Sequence, residues 1–119
     1  MRKILIVDDN ESNIKFLKIL LSKTGYNVLE ANNGKDAIDL AVKENPVLIL
    51  MDIMMPDLDG FEALKILKSL NNVKNIPVIA ITALAMKGDK EKILDAGFVD
   101  YISKPVNYKE LLEKINRLL

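Results

Sequence analysis

The feature that most constrains this chain is an alternation of short, β-branched apolar runs with longer segments of helical spacing. Ile4 to Val7, Val47 to Met51 and Val78 to Ile81 are too short for helices and apolar throughout, the pattern of strands buried on both faces of a sheet. Asn27 to Ala31 and Val99 to Ile102 read as two further strands with more polar residues. Between the runs, apolar residues recur every three or four positions: Ile14, Leu17 and Leu21; Ile38, Ala41 and Val42; Leu64, Leu67 and Leu70; Tyr108, Leu111, Leu112, Ile115 and Leu119. One more helical segment, roughly Lys87 to Ala96, offers only Ile93 and Leu94 as an apolar face.

Five strand-helix repeats predict an α/β fold with a parallel sheet, right-handed crossovers and helices on both faces. The more polar second and fifth strands belong at the edges, where pairing surface must be blunted. The expected order is therefore 2-1-3-4-5, the doubly wound, flavodoxin-like (βα)5 arrangement. Punctuation agrees, with Gly25 and Gly97 as helix stops, Pro46 and Pro77 just before strands, and Asn10 placed to cap the first helix.

At 119 residues, half of them apolar, the expectation is one domain over residues 1–119 with no separate output domain. Seventeen basic and 17 acidic residues cancel, and no window concentrates Lys and Arg with aromatics, so direct nucleic-acid binding is not expected. The chain has no Cys and no His, which removes disulfides, thiolate or imidazole metal sites and Ser-His or Cys-His catalysis. The N-terminal apolar stretch ends after Val7 in two aspartates, too short for a signal peptide, and no longer apolar run follows; a cytoplasmic protein without a membrane segment is expected.

In a doubly wound sheet the binding crevice lies beyond the carboxyl ends of the strands, where strand order reverses. Strand 1 leads into Asp8 and Asp9, strand 3 into Asp52, strand 4 into Thr82, and strand 5 into Lys104-Pro105. Two carboxylates about 4 Å apart repel by roughly 4 kcal/mol at an effective dielectric of 20, so three together call for a cation or a proton. Oxygen-only donors select Mg²⁺, with Mn²⁺ as a plausible substitute, and Mg²⁺ commonly binds through one or two carboxylates plus a phosphate. Lys104 and Thr82 could then neutralise and hydrogen-bond the remaining phosphoryl oxygens.

The motifs Val7-Asp8-Asp9-Asn10, Met51-Asp52-Ile53-Met54-Met55-Pro56-Asp57-Leu58-Asp59-Gly60, Ile81-Thr82-Ala83-Leu84-Ala85-Met86 and Tyr101-Ile102-Ser103-Lys104-Pro105 resemble those of response-regulator receiver domains, the CheY-like superfamily. Four motifs in the right order, each at an expected strand end, make a specific signal. Through Thr82 to Asp89 the chain looks most like stand-alone regulators of the DivK type and the receivers of hybrid histidine kinases. The resemblance implies that Asp52 accepts a phosphoryl group from a histidine kinase or histidine phosphotransfer protein, in a phosphorelay. It further implies Mg²⁺ held by Asp9, Asp52 and the Met54 backbone carbonyl, with Asp8 acting through a water. Lys104 would pair with the phosphate, on a cis Lys104-Pro105 peptide. Thr82 and Tyr101 would switch the face of helix 4, strand 5 and helix 5 toward a downstream protein.

Met54 and Leu84, two residues beyond Asp52 and Thr82, cannot orient an attacking water, so slow self-dephosphorylation is expected and no metabolic turnover. Asp57 and Asp59 read as turn formers around Pro56 and Gly60. Other classes fit less well. A flavin binder would need a glycine- and hydroxyl-rich phosphate loop where Asp8-Asp9-Asn10-Glu11 stands, and an aspartyl-phosphate hydrolase wants a general acid where Met54 stands. A purely structural interaction module would lack metal affinity at this rim.

Overall fold

A computed structural model describes residues 2–83 and 89–119. These residues form, in chain order, β1 (Lys3–Val7), α1 (Glu11–Leu21), β2 (Asn27–Ala31), α2 (Gly34–Glu44), β3 (Leu48–Asp52), α3 (Gly60–Lys68), β4 (Val78–Thr82), α4 (Asp89–Ala96), β5 (Asp100–Ser103) and α5 (Tyr108–Leu118). The strands pair in parallel in the order β2-β1-β3-β4-β5, as the polar character of β2 and β5 predicts. All five residues of β3 and of β4 are buried, whereas β2 and β5 bury one residue each.

The period-2 geometry of a strand sorts the core into two layers. Leu5, Val7, Ile49, Met51, Val78 and Ala80 face Ala37, Ala41, Ala63, Leu64, Leu67 and Ile93 of α2, α3 and α4. Ile4, Ile6, Leu48, Leu50, Ile79 and Ile81 face Ile14, Leu17 and Leu21 of α1, with Leu111 and Ile115 of α5. The helices change sides because β2 is laid on one side of β1 and β3 on the other, and right-handed crossovers then place α1 and α2 on opposite faces. The switch point falls between β1 and β3, which pair from Ile4 opposite Leu48 to Val7 opposite Met51.

Some expected boundaries move. β3 begins at Leu48 and runs into Asp52, and β5 spans Asp100–Ser103 in place of Val99 to Ile102. The shift has a pairing reason: Asp52 lies opposite Ile81, and Thr82 opposite Ser103, so the ladders continue one residue further toward the rim. Val42 and Leu94 are 42% and 39% exposed and do not join the core, and α3 ends at Lys68, before Leu70. Gly25 and Gly97 take φ of 85° and 114°, the left-handed conformation that stops a helix. The stretch from Leu84 to Gly88, including the polar start of the expected fourth helix, lies outside the described residues. Among the described residues no helix is long and apolar enough to cross a membrane.

Candidate functional site

The rim above the switch point is built by the ends of four strands. After β1, the Asp8 amide donates to Ala31 O at 3.1 Å, and Asp8 Oδ1 accepts the Asn10 amide at 2.9 Å. Asn10 is extended and its side-chain oxygen accepts the Asn13 amide at 3.1 Å, the N-cap that starts α1. The expectation that this segment caps the helix is therefore met by Asn10, while Asp8 braces the cap and stays 1% exposed. Asp9 is exposed. Asp52, 5% exposed at the end of β3, accepts the Met54 amide on Oδ1 at 3.2 Å.

The chain leaves β3 through a tight loop. Asp57 takes a left-handed φ of 67°, and Asp59 caps α3 in a reciprocal capping box with Glu62. Both aspartates thus shape the turn, as expected, and neither belongs to the carboxylate cluster. On the far side, the Lys104 amide donates to Thr82 O at 2.8 Å, and the Lys104-Pro105 peptide is cis. Lys104 Nζ reaches back to Asp52 Oδ2 at 3.3 Å and Asp8 Oδ2 at 3.4 Å. A single ammonium therefore bridges two buried carboxylates contributed by different strands.

Asp8, Asp9 and Asp52 each offer one carboxylate oxygen, and these oxygens all lie within 4.8 Å of one another. Burial, and next the charge of Asp8, push the Asp52 carboxyl above its ordinary value, against the opposing pull of Lys104 and the Met54 amide. Such a cluster is under electrostatic stress that a divalent cation would relieve. Its donors are all oxygen, two from the buried Asp8 and Asp52 and one from the exposed Asp9, so the residues present fit a hard cation that retains waters, as Mg²⁺ does. The cleft above them has a volume of about 280 Å³ and includes Asn10, Ala83 and Lys104 in its lining.

Not every expected residue meets there. Thr82 ends β4 fully buried, and its neighbour Ala83 lines the cleft. Met54, by contrast, does line the cleft; it is 59% exposed and its amide donates to Asp52 Oδ1. Tyr101 sits apart on edge strand β5, its ring 5.0 Å from the Lys114 ammonium of α5 and 5.9 Å from Lys90 of α4. Leu84 lies outside the described residues. Sequence reasoning missed Asn13 and Ala83 as lining residues, and a second, more apolar cleft of about 370 Å³ between Phe16 and Leu17 of α1 and the Pro105-Val106 turn. The available signal was an aromatic residue, Phe16, lying off the Ile14, Leu17 and Leu21 stripe of α1.

Comparison with known proteins agrees with this geometry. The model of the response regulator receiver domain matches residues 4–116. The chain is 44% identical to the polar-differentiation response regulator DivK of Brucella anthropi, over 99% of this chain and 96% of that protein. It superposes on the chemotaxis protein CheY4 of Vibrio cholerae with a TM-score of 0.92 at 30% identity, covering 100% of this chain and 99% of the other. It also resembles the receiver domain of a Pseudomonas aeruginosa sensor histidine kinase, solved with a magnesium ion coordinated in its active site cleft. There the TM-score is 0.90 and the identity 36%, with 98% and 96% of the two chains covered. With three carboxylates and a lysine gathered at the carboxyl rim of a 2-1-3-4-5 sheet, and with these likenesses over nearly its whole length, the chain belongs to the response regulator receiver domain family.

Proposed function

We propose that the chain is a cytoplasmic phosphorelay switch whose residues 1–119 act as one receiver domain, with Asp52 as the phosphoryl acceptor. The observation that carries this reading is the convergence of Asp8, Asp9 and Asp52 within 4.8 Å, with Lys104 3.3 Å from Asp52. Asp52 Oδ attacks the phosphorus of a phosphohistidine on a histidine kinase or phosphotransfer protein; the P–O bond forms as the P–N bond breaks, and the imidazole leaves with the bonding pair. This chain's part is alignment and charge neutralisation rather than proton transfer.

Asp9, Asp52 and the Met54 backbone carbonyl would hold Mg²⁺, with Asp8 acting through a bound water; Mn²⁺ suits the same donors. When bound there, such a cation would supply positive charge to offset that of the phosphoryl group. Lys104 exchanges its carboxylate partners for a phosphoryl oxygen, a short move for an ammonium already at 3.3 and 3.4 Å from Asp52 and Asp8. Thr82 turns its hydroxyl toward the new phosphate, and Tyr101, half-buried on β5, follows, so the face of α4, β5 and α5 presents a changed surface to a downstream protein. α4 suits this part, since Ile93 is its buried residue. The apolar cleft beside α1 supports a protein donor over a small one, because it offers a resting surface next to a charged reaction centre.

Intact mass after incubation with acetyl phosphate tests the reading. One added phosphoryl group, dependent on Mg²⁺ and absent in Asp52→Asn, is the expected result. No gain with acetyl phosphate or with a phosphohistidine donor would refute it.

A further inference from the structure

Gly60 opens α3, and its amide donates to Ile53 O at 2.8 Å, closing the loop that leaves Asp52. A Cβ placed on Gly60 would lie 2.7 Å from Ile53 Cα and 2.8 Å from the Asp52 carbonyl oxygen. Both neighbours are backbone and cannot rotate away. The backbone of Gly60 lies outside the left-handed region, so what glycine supplies is room. Neither flank can yield easily. β3 is a central strand, buried at every residue and paired with β1 and β4, while α3 is docked by Ala63, Leu64 and Leu67 and fastened at its start by the Asp59–Glu62 capping box.

We propose that Gly60 is a positioning residue of the phosphoacceptor site: its missing side chain lets α3 close onto the Asp52–Ile53 peptide and so fixes the backbone from Asp52 to Met54. The role rests on the reading of Asp52 and Met54 given above. A side chain at position 60 wedges the loop open, and the strain falls on the stretch from the end of β3 into the loop before α3, which carries two of the three proposed metal donors, Asp52 and the Met54 carbonyl. Backbone strain in a turn remote from the rim, without a clash beside Asp52, would cost stability alone. Gly25 provides that comparison, with φ +85° and nothing within 4 Å of an added Cβ, in the turn leading into β2 at the opposite end of the sheet.

The test is an amide NMR titration with Mg²⁺ of wild type, Gly60→Ala and Gly25→Ala, each at a temperature where circular dichroism shows it folded. Acetyl phosphate labelling rates are measured alongside. Folded Gly60→Ala is expected to bind Mg²⁺ about 10-fold more weakly and to label more slowly, the scale seen when a residue orienting a metal ligand is changed. Gly25→Ala is expected to melt earlier yet keep wild-type affinity and rate. Wild-type affinity and rate in folded Gly60→Ala would overturn the proposal. Should Gly60→Ala fail to fold, the wild-type Gly60 amide decides: it is expected to shift with the midpoint of the Met54 amide, and a Gly60 signal that stays still while Met54 moves would overturn the proposal. A wild type blind to Mg²⁺ would refute the metal reading and the positioning role with it, whereas the variant results alone strike only the latter.

Discussion

Lys104→Met removes the ammonium that bridges Asp8 and Asp52 while keeping a side chain of similar length. At 3.3 and 3.4 Å, each contact is worth about 5 kcal/mol of attraction at an effective dielectric of 20. What remains is carboxylate repulsion of at least about 3.5 kcal/mol for oxygens within 4.8 Å. Restored hydration and relaxation absorb much of this, and breaking a buried pair costs about 3–5 kcal/mol in practice. We take about 3 kcal/mol, the low end of that range, because the Lys104 side chain is 26% exposed and solvent already screens part of its pairing. With an unfolding entropy near 2.1 cal/mol/K per residue over 119 residues, that is a fall of about 12 °C in melting temperature.

The pH dependence follows from the same carboxyl. A folded-state value raised above 3.8 means that the folded chain holds this proton more tightly than the unfolded one, so Asp52 subtracts stability as pH rises through that window. Loss of Lys104 extends the window upward. The variant should therefore be deficient at neutral pH without Mg²⁺, regain part of the difference in acid solution, and regain it also with added Mg²⁺. Melting curves by circular dichroism at both pH values, with EDTA or Mg²⁺, supply the assay. Equal stability of variant and wild type at neutral pH in EDTA, or a deficit of the same size at both pH values, would refute the electrostatic reasoning.

Asp52→Asn should lose phosphorylation and, in EDTA at neutral pH, melt above wild type, since it deletes a charge that burial and Asp8 disfavour; differential scanning calorimetry reads the sign. Met54→Asn places a polar group at an exposed position two residues past the proposed acceptor and should shorten the phosphate lifetime, followed by decay of the phosphorylated mass. Leu50→Ala, at a fully buried position of the central strand, should cost about 2–5 kcal/mol in urea unfolding. Asn107→Ala removes the cap that accepts the Glu110 amide at 3.0 Å and should cost about 1 kcal/mol.

The sheet was legible because β-branched runs ending in chemistry-bearing residues carry both the period and the rim. Ile4 to Val7 names the strand, and Asp8 and Asp9 mark where it opens onto solvent. Edge placement of β2 and β5 followed from Glu30 and Asp100, which a central strand could not bury. Boundaries were less legible, because extension of β3 through Asp52 is decided by its partner Ile81 rather than by local propensity. The site's membership was likewise readable from strand ends, but its internal bonding was not. That Lys104 pairs with both Asp8 and Asp52, and that Asp8 also braces the Asn10 cap, depends on groups 96, 52 and two residues apart in sequence. The burial of Thr82 and the cation pair around Tyr101 are tertiary facts with no local signature.

The most direct test of the central claim is to locate the phosphoryl group. After phosphorylation with Mg²⁺, borohydride reduces an aspartyl phosphate to homoserine with release of phosphate, and tandem mass spectrometry then places the modified residue. Homoserine at position 52, dependent on Mg²⁺, is the predicted result. Homoserine at Asp8, Asp9 or another carboxylate, with position 52 still aspartate, would contradict the assignment.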